Sequence, residues 1–223
     1  MKTLAFDVYG TLVDPLRMAT QLQAIAGGRA DALSQLWRNK QLEFAFRRGL
    51  MRDYADFDVC TRDALQFALE QFEIGLDEAG IRGLLEQYRA LPAFPDAAGG
   101  LEQLRDRGIR CLAFSNGTHD SLQAVLGQAG LLPLFDDLVS VDAIKTFKPD
   151  PAVYNYLVRR SGARHADCWL VSGNAWDLIG ARNAGLNTAW VNRSGSRFDP
   201  WGGPPDMEVM DLAQLANSME AIS

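Results

Sequence analysis

The first group able to do covalent chemistry is a carboxylate at the end of an apolar run. Thr3-Leu4-Ala5-Phe6 leads straight into Asp7, and the chain turns at Gly10. An aspartate delivered at the C-terminal end of a strand is placed to act as a nucleophile. Two positions on stands Tyr9, which cannot serve as a carboxylic acid, and that choice separates two chemistries. Other polar groups follow later apolar runs: Ser115, Asn116 and Gly117, then Lys145 and Lys148 with Pro149, then Ser172, Asn174 and Asp177. In an open parallel sheet, ligands sit beyond the C-terminal strand ends. Each feature has a plainer reading. Asp7 suits a turn, Ser115-Asn116-Gly117 is common turn composition, Lys148-Pro149 suits a loop before a helix, and Asp177 could complement a helix N-terminus. The case rests on all four strand ends supplying polar groups together. Lys145 fits the plain reading better than Lys148 does.

The elements that must carry these groups are legible. Apolar runs predict strands over Thr3–Phe6, Arg110–Phe114, Asp137–Val141, Cys168–Val171 and Asn187–Val191. Helical patterns near Ala97–Arg107, Ser121–Ala129, Pro151–Ser161 and Ala175–Ala184 separate the last four or lead into them. Strand–helix alternation predicts a Rossmann-like parallel sheet with right-handed crossovers. Gly108, Gly130, Gly162 and Gly185 suit left-handed helix ends. Residues 16–93 are helical in pattern, with Leu33, Leu36, Trp37 and Phe44 on one apolar face and Ala64 to Phe72 forming another. They read as an insertion after the first strand that covers its C-terminal end. The expected layout is an α/β core of residues 1–15 and 94–223 with a helical cap of residues 16–93. Ser194 to Pro205, rich in Gly and Pro, reads as an ordered surface loop.

Bulk properties narrow the partners. The chain has 223 residues, 48% hydrophobic, with a formal net charge of -6. An acidic surface repels phosphate backbones and anionic membranes, which argues against nucleic acid. No stretch approaches the ~18 unbroken apolar residues of a membrane span, and the run before Asp7 is too short for a signal sequence. Cys60, Cys111 and Cys168 form no C-x-x-C pair and read as reduced core thiols, which points to a cytoplasmic protein. Two histidines, His119 and His165, offer little for zinc or a His-based triad and read as surface residues.

Asp7-Val8-Tyr9-Gly10-Thr11-Leu12, Ser115-Asn116-Gly117, Lys148-Pro149-Asp150 and Ser172-Gly173-Asn174-Ala175-Trp176-Asp177 resemble, in order, the four motifs of the haloacid dehalogenase superfamily. Leu36-Trp37-Arg38-Asn39-Lys40-Gln41-Leu42-Glu43 resembles the cap segment of the L-2-haloacid dehalogenases. The resemblance implies a haloacid dehalogenase-like fold and hydrolysis of short (S)-2-haloacids to (R)-2-hydroxyacids through an ester on Asp7. It implies support around Asp7 and a water from Thr11, Ser172 and Asn174. Ser115, with nearby backbone N–H groups, would bind the substrate carboxylate, while Asn116 and Arg38 face the departing halide. Tyr9, Leu42, Phe57 and Trp176 match positions that wall the alkyl group. Tyr154 matches a position that hydrogen-bonds near Lys148, with a packing role as the alternative.

The letters themselves discriminate. Superfamily phosphatases place a second Asp where Tyr9 stands, to protonate the leaving oxygen; halide is a weak base and leaves without a proton. They also hold Mg²⁺ with acidic groups, whereas Asn174 is an amide, so no metal and no cofactor are expected. Lys148 would favour an ionised Asp7, Asp177 would activate or orient water, and backbone N–H groups around Val8 and Tyr9 would steady the oxyanion. The alternatives are a magnesium-dependent phosphohydrolase on the same scaffold and a binding protein that kept the fold. Gly173 departs from the serine common in relatives, and its missing side chain is expected to loosen the loop or enlarge the pocket. Expected partners are a small anionic 2-haloacid, water and a second copy in a homodimer, with hinges near Asp14–Arg17 and Leu91–Ala97.

Overall fold

The computed structural model describes residues 2–221. Six parallel strands form one sheet: β1 (Thr3–Phe6), β2 (Arg110–Ser115), β3 (Asp137–Ser140), β4 (Cys168–Ser172), β5 (Asn187–Val191) and β6 (Met207–Val209), in the order β3-β2-β1-β4-β5-β6. All four residues of β1 are buried, as are all five of β4, as expected of central strands covered on both faces. Leu4, Phe6, Ala113 and Val171 point to a core shared with helices α5 (Ala97–Asp106), α6 (His119–Gln128) and α9 (Leu212–Ala221). Ala5, Leu112, Phe114 and Leu170 point the other way, against α7 (Pro151–Ser161) and α8 (Ala175–Asn183). This period-2 division sets the three layers.

Between β1 and α5 the chain is helical: α1 (Met18–Ala26), α2 (Ala30–Met51), α3 (Phe57–Gln71) and α4 (Glu78–Tyr88). Aspartates start the last two, since Asp56 accepts from Val59 N at 2.9 Å and Asp77 from Gly80 N at 2.8 Å. Leu22, Leu33, Trp37, Ala64 and Leu65 are buried here and belong to the same apolar cluster as Leu4 and Phe6. The outgoing and returning chains run side by side: Phe94 N donates to Leu12 O at 2.9 Å and Asp14 N to Pro92 O at 3.3 Å.

The five expected strands are present, with β2 and β4 each one residue longer and β3 one residue shorter than the pattern suggested. Gly108, Gly130, Gly162 and Gly185 all have positive φ. Pro151 takes the first position of α7, with Asp150 as its cap. The C-terminal β6 and α9 were not anticipated. β6 has three residues at the sheet edge, too short to show alternation. The three cysteines are free and buried, and burial pushes the thiols of Cys60, Cys111 and Cys168 up to about 11, 12 and 11. His119 and His165 are exposed. Among the described residues, no helix is long and apolar enough to cross a membrane.

Candidate active site

Three neighbouring strand ends build the site. Asp7 follows the last residue of β1, while Ser115 and Ser172 close the flanking strands β2 and β4. Asp7 N donates to Val171 O at 2.9 Å, so the backbone holds strand geometry up to the carboxylate. Gly10, at φ +87°, then turns the chain, and a Cβ there would sit 3.3 Å from the Asn174 amide.

The two oxygens of Asp7 are treated differently. Oδ2 accepts from Thr11 Oγ1 at 2.9 Å, Asn174 Nδ2 at 2.7 Å and Ser172 Oγ at 3.3 Å. Oδ1 accepts from Lys148 Nζ at 3.1 Å. The loop carrying these donors is itself fixed, with Gly173 N donating to Thr11 Oγ1 at 2.8 Å and Asn174 N to Ser172 Oγ at 3.0 Å.

Lys148 reaches the site from the loop before α7 and is 1% exposed. Its ammonium donates to Asp7, to Asp177 Oδ2 at 2.8 Å and to the Phe114 carbonyl at 3.0 Å, which matches its three N–H groups. Its Nζ also lies 4.2 Å from the Phe114 ring centre. Asn116 Oδ1 accepts from the Lys148 backbone N at 2.9 Å, which leaves the Asn116 amide nitrogen as the group that can donate to a ligand. Ser115 Oγ accepts from Gly117 N at 3.2 Å, leaving its hydroxyl proton to be donated.

Asp177 is fully buried in the first turn of α8. Burial raises its carboxyl to about 6; the charge of Asp7 adds to the rise and Lys148 opposes it. Burial works against the Lys148 ammonium, but Asp177 and Asp7 outweigh it, so Lys148 stays charged to higher pH than an ordinary lysine. Tyr154 Oη lies 2.7 Å from Asp177 Oδ1 and 3.0 Å from the Asp177 carbonyl. Of the two roles considered for Tyr154, hydrogen bonding is therefore present, alongside burial in the core. Gly180 makes this possible, because a Cβ there would sit 2.5 Å from Tyr154 Oη.

Residues 1–185 match the haloacid dehalogenase-like hydrolase family. The (S)-2-haloacid dehalogenase of Pseudomonas sp. (strain YL) is 38% identical over 220 residues, which is 99% of this chain and 95% of that protein. One from Burkholderia cepacia is 38% identical over 100% of this chain and 93% of its own. This chain belongs to the L-2-haloacid dehalogenase family. The Xanthobacter autotrophicus L-2-haloacid dehalogenase with chloropropionic acid covalently bound superposes with a TM-score of 0.93, at 33% identity and full coverage of both chains.

Arg38 and Tyr9, both expected beside a small substrate, meet next to the Asp7 cluster. Arg38, on α2, donates to Tyr9 O at 3.2 Å, and Asn174 Nδ2 donates to that carbonyl at 3.0 Å. Tyr9 and Phe57 are buried with ring centres 6.1 Å apart. Burial, with Tyr88 and Asp58 adding, raises the Tyr9 phenol, so it stays neutral. Leu42 and Trp176 are half-buried, and Trp176 meets the edge of Phe46 with ring centres 5.0 Å apart. Lys145 stays outside the cluster, exposed and paired with Asp142 at 2.8 Å. Among the described residues, no group of three or more His, Cys, Asp or Glu could hold a metal ion.

Of the two expectations for Gly173, a looser loop is overturned: a Cβ there would run into the Gly10 carbonyl oxygen, so the glycine lets two loops pack closely. Sequence reasoning also missed Gln41, Tyr88 and Phe46. Gln41 lies one helical turn beyond Arg38, a spacing that places both on one face and was available as a signal. Tyr88 stacks on Tyr9 at 5.6 Å from a distant helix, and nothing local announces it.

Proposed function

We propose that this enzyme hydrolyses short (S)-2-haloacids to (R)-2-hydroxyacids and halide, through an ester on Asp7 and without a divalent cation. One observation carries the reading: a buried ammonium, Lys148, bridges Asp7 and Asp177. A fixed cation steadies the nucleophile's charge, and Tyr9 supplies no acid for a leaving oxygen.

In the first step Asp7 Oδ1, the less engaged oxygen, forms a bond to the carbon bearing the halogen. The carbon–halogen bond breaks, the halide leaves with the electron pair, and the carbon inverts. Asn116 and Arg38 face the halide, and Ser115 with nearby backbone N–H groups holds the substrate carboxylate. Oδ2 becomes the ester carbonyl. Its three donors, Thr11, Ser172 and Asn174, then polarise that carbonyl and steady the oxyanion, joined by backbone N–H groups around Val8 and Tyr9.

In the second step water attacks Cγ of Asp7 and gives a proton to Asp177. The acyl–oxygen bond breaks, the departing alkoxide takes that proton, and the carboxylate re-forms with a solvent oxygen and loses its remaining proton to bulk. The balance is haloacid plus water to hydroxyacid, halide and a proton. The (S) preference follows the relatives. Residues 16–93 act as a cap on a core of residues 1–15 and 94–223, closing over the strand ends to exclude bulk water. The working form is a cytoplasmic homodimer with part of the cap at the contact.

Incubation with L-2-chloropropionate in EDTA tests this directly, with chloride release expected. Folded enzyme that releases halide from no short haloacid would reject it, and magnesium-dependent phosphate release would favour a phosphohydrolase.

A further inference from the structure

We infer that Gln41 is a positioning residue that fixes the Arg38 guanidinium at the leaving-group side of the site, and that Thr61 sets the orientation of its amide. The inference rests on the dehalogenase reading for its kinetic consequences, but its geometry stands alone. Arg38 is a long, half-buried side chain that must be held by acceptors. Two are present: Tyr9 O at 3.2 Å and Gln41 Oε1 at 2.7 Å. Gln41 is fully buried, and its Oε1 also accepts from Tyr88 Oη at 3.0 Å. Its Nε2 donates to Thr61 Oγ1 at 2.6 Å.

Donor and acceptor roles along this chain are fixed by chemistry. The Thr61 hydroxyl donates to Phe57 O at 2.7 Å, so toward Gln41 it acts as an acceptor. That requires Nε2 on the Thr61 side and therefore Oε1 on the Arg38 side. A flipped amide would set an N–H₂ against a guanidinium, two pure donors face to face. Thr61 is held in turn by its helix, where Trp37 Nε1 donates to its carbonyl at 2.8 Å. Tyr88 couples the relay to the substrate wall, since its ring stacks on Tyr9 with an 18° tilt between planes. The relay thus ties the charged group on α2 to α3 and to the end of α4, and aims it at the Tyr9 carbonyl beside the nucleophile.

The test measures kcat and KM with L-2-chloropropionate and L-2-bromopropionate for wild type, Gln41→Met, Thr61→Val, Thr61→Ser, Arg38→Met and the Gln41→Met/Arg38→Met double variant. Gln41→Met and Thr61→Val are expected to lower kcat about 10- to 100-fold, the effect of losing one hydrogen bond to a charged group. Chloride, the poorer leaving group, should suffer more than bromide. Thr61→Ser, which keeps the hydroxyl, should recover most of the loss seen in Thr61→Val. The double variant should be no slower than Arg38→Met alone, because residues acting through one group are not additive. Unchanged kcat in folded Gln41→Met, or losses that multiply in the double variant, would overturn the inference. A wild type that releases no halide would instead defeat the dehalogenase reading. The crystal structure of Gln41→Met then decides the inference alone: Arg38 displaced from Tyr9 O supports it, and Arg38 still in place overturns it.

Discussion

Lys148 Nζ stands 2.8 Å from Asp177 Oδ2, with both side chains shut away from solvent. Asp7 Oδ1 lies 3.1 Å from the same ammonium, so two carboxylates share one positive charge. Burial lifts Asp177, and the charge of Asp7 adds to the rise.

A pH profile follows from that lift. Water activation needs ionised Asp177, and the ester removes the Asp7 charge that adds to its rise, so kcat should be flat through neutrality and fall only below about pH 6. Because Lys148 is shifted upward, no alkaline limb from it should appear below the ordinary lysine range. The sign for folding is the reverse of that for activity. A carboxyl raised in the folded state contributes stability below its unfolded pKa, and that contribution is lost as pH rises through about 6. Rates and melting temperatures measured from pH 5 to 9 check both parts.

Tyr154→Phe removes the hydroxyl 2.7 Å from Asp177 Oδ1. That hydrogen bond favours the ionised carboxylate. Its loss should move the acid limb to higher pH and slow turnover by about tenfold. A limb that stays in place would show that another group titrates there.

Lys148→Met should abolish turnover to within about 10³-fold of background and destabilise the fold by about 3–5 kcal/mol, because it leaves buried carboxylates without their cation. Denaturant melts and halide release check the two effects separately.

Gly173→Ala should destabilise the fold by about 1–3 kcal/mol, because the added methyl meets the Gly10 carbonyl. It should also lower kcat, since the same loop carries Ser172 and Asn174 to Asp7 Oδ2. A stable, fully active Gly173→Ala variant would contradict the close approach.

Much of this was legible in the chain because the site is built at strand ends. Asp7, Ser115 and Ser172 each sit next to an apolar run whose end is visible in the letters, and the sheet brings those ends together. Lys148 and Asp177 lie near helix starts, which Pro151 and the run after Asn174 mark. The rest depends on contacts between distant helices. Tyr88 reaches Tyr9 across 79 residues of helical chain, and β6 is too short to show its period. The expectation that Gly173 loosens its loop failed for a related reason. Whether a missing side chain means slack or close approach depends on what lies opposite, and Gly10 is far away in sequence.

The central claim is that a carboxylate oxygen of Asp7 leaves with the product and is replaced from water. Multiple turnovers of L-2-chloropropionate in ¹⁸O-labelled water with EDTA, followed by mass spectrometry of the peptide containing Asp7, test it most directly. The account predicts ¹⁸O in the Asp7 side chain and, in the first turnover of each enzyme molecule, unlabelled oxygen in the hydroxyacid. Label appearing in the hydroxyacid at once, with none in Asp7, would contradict it.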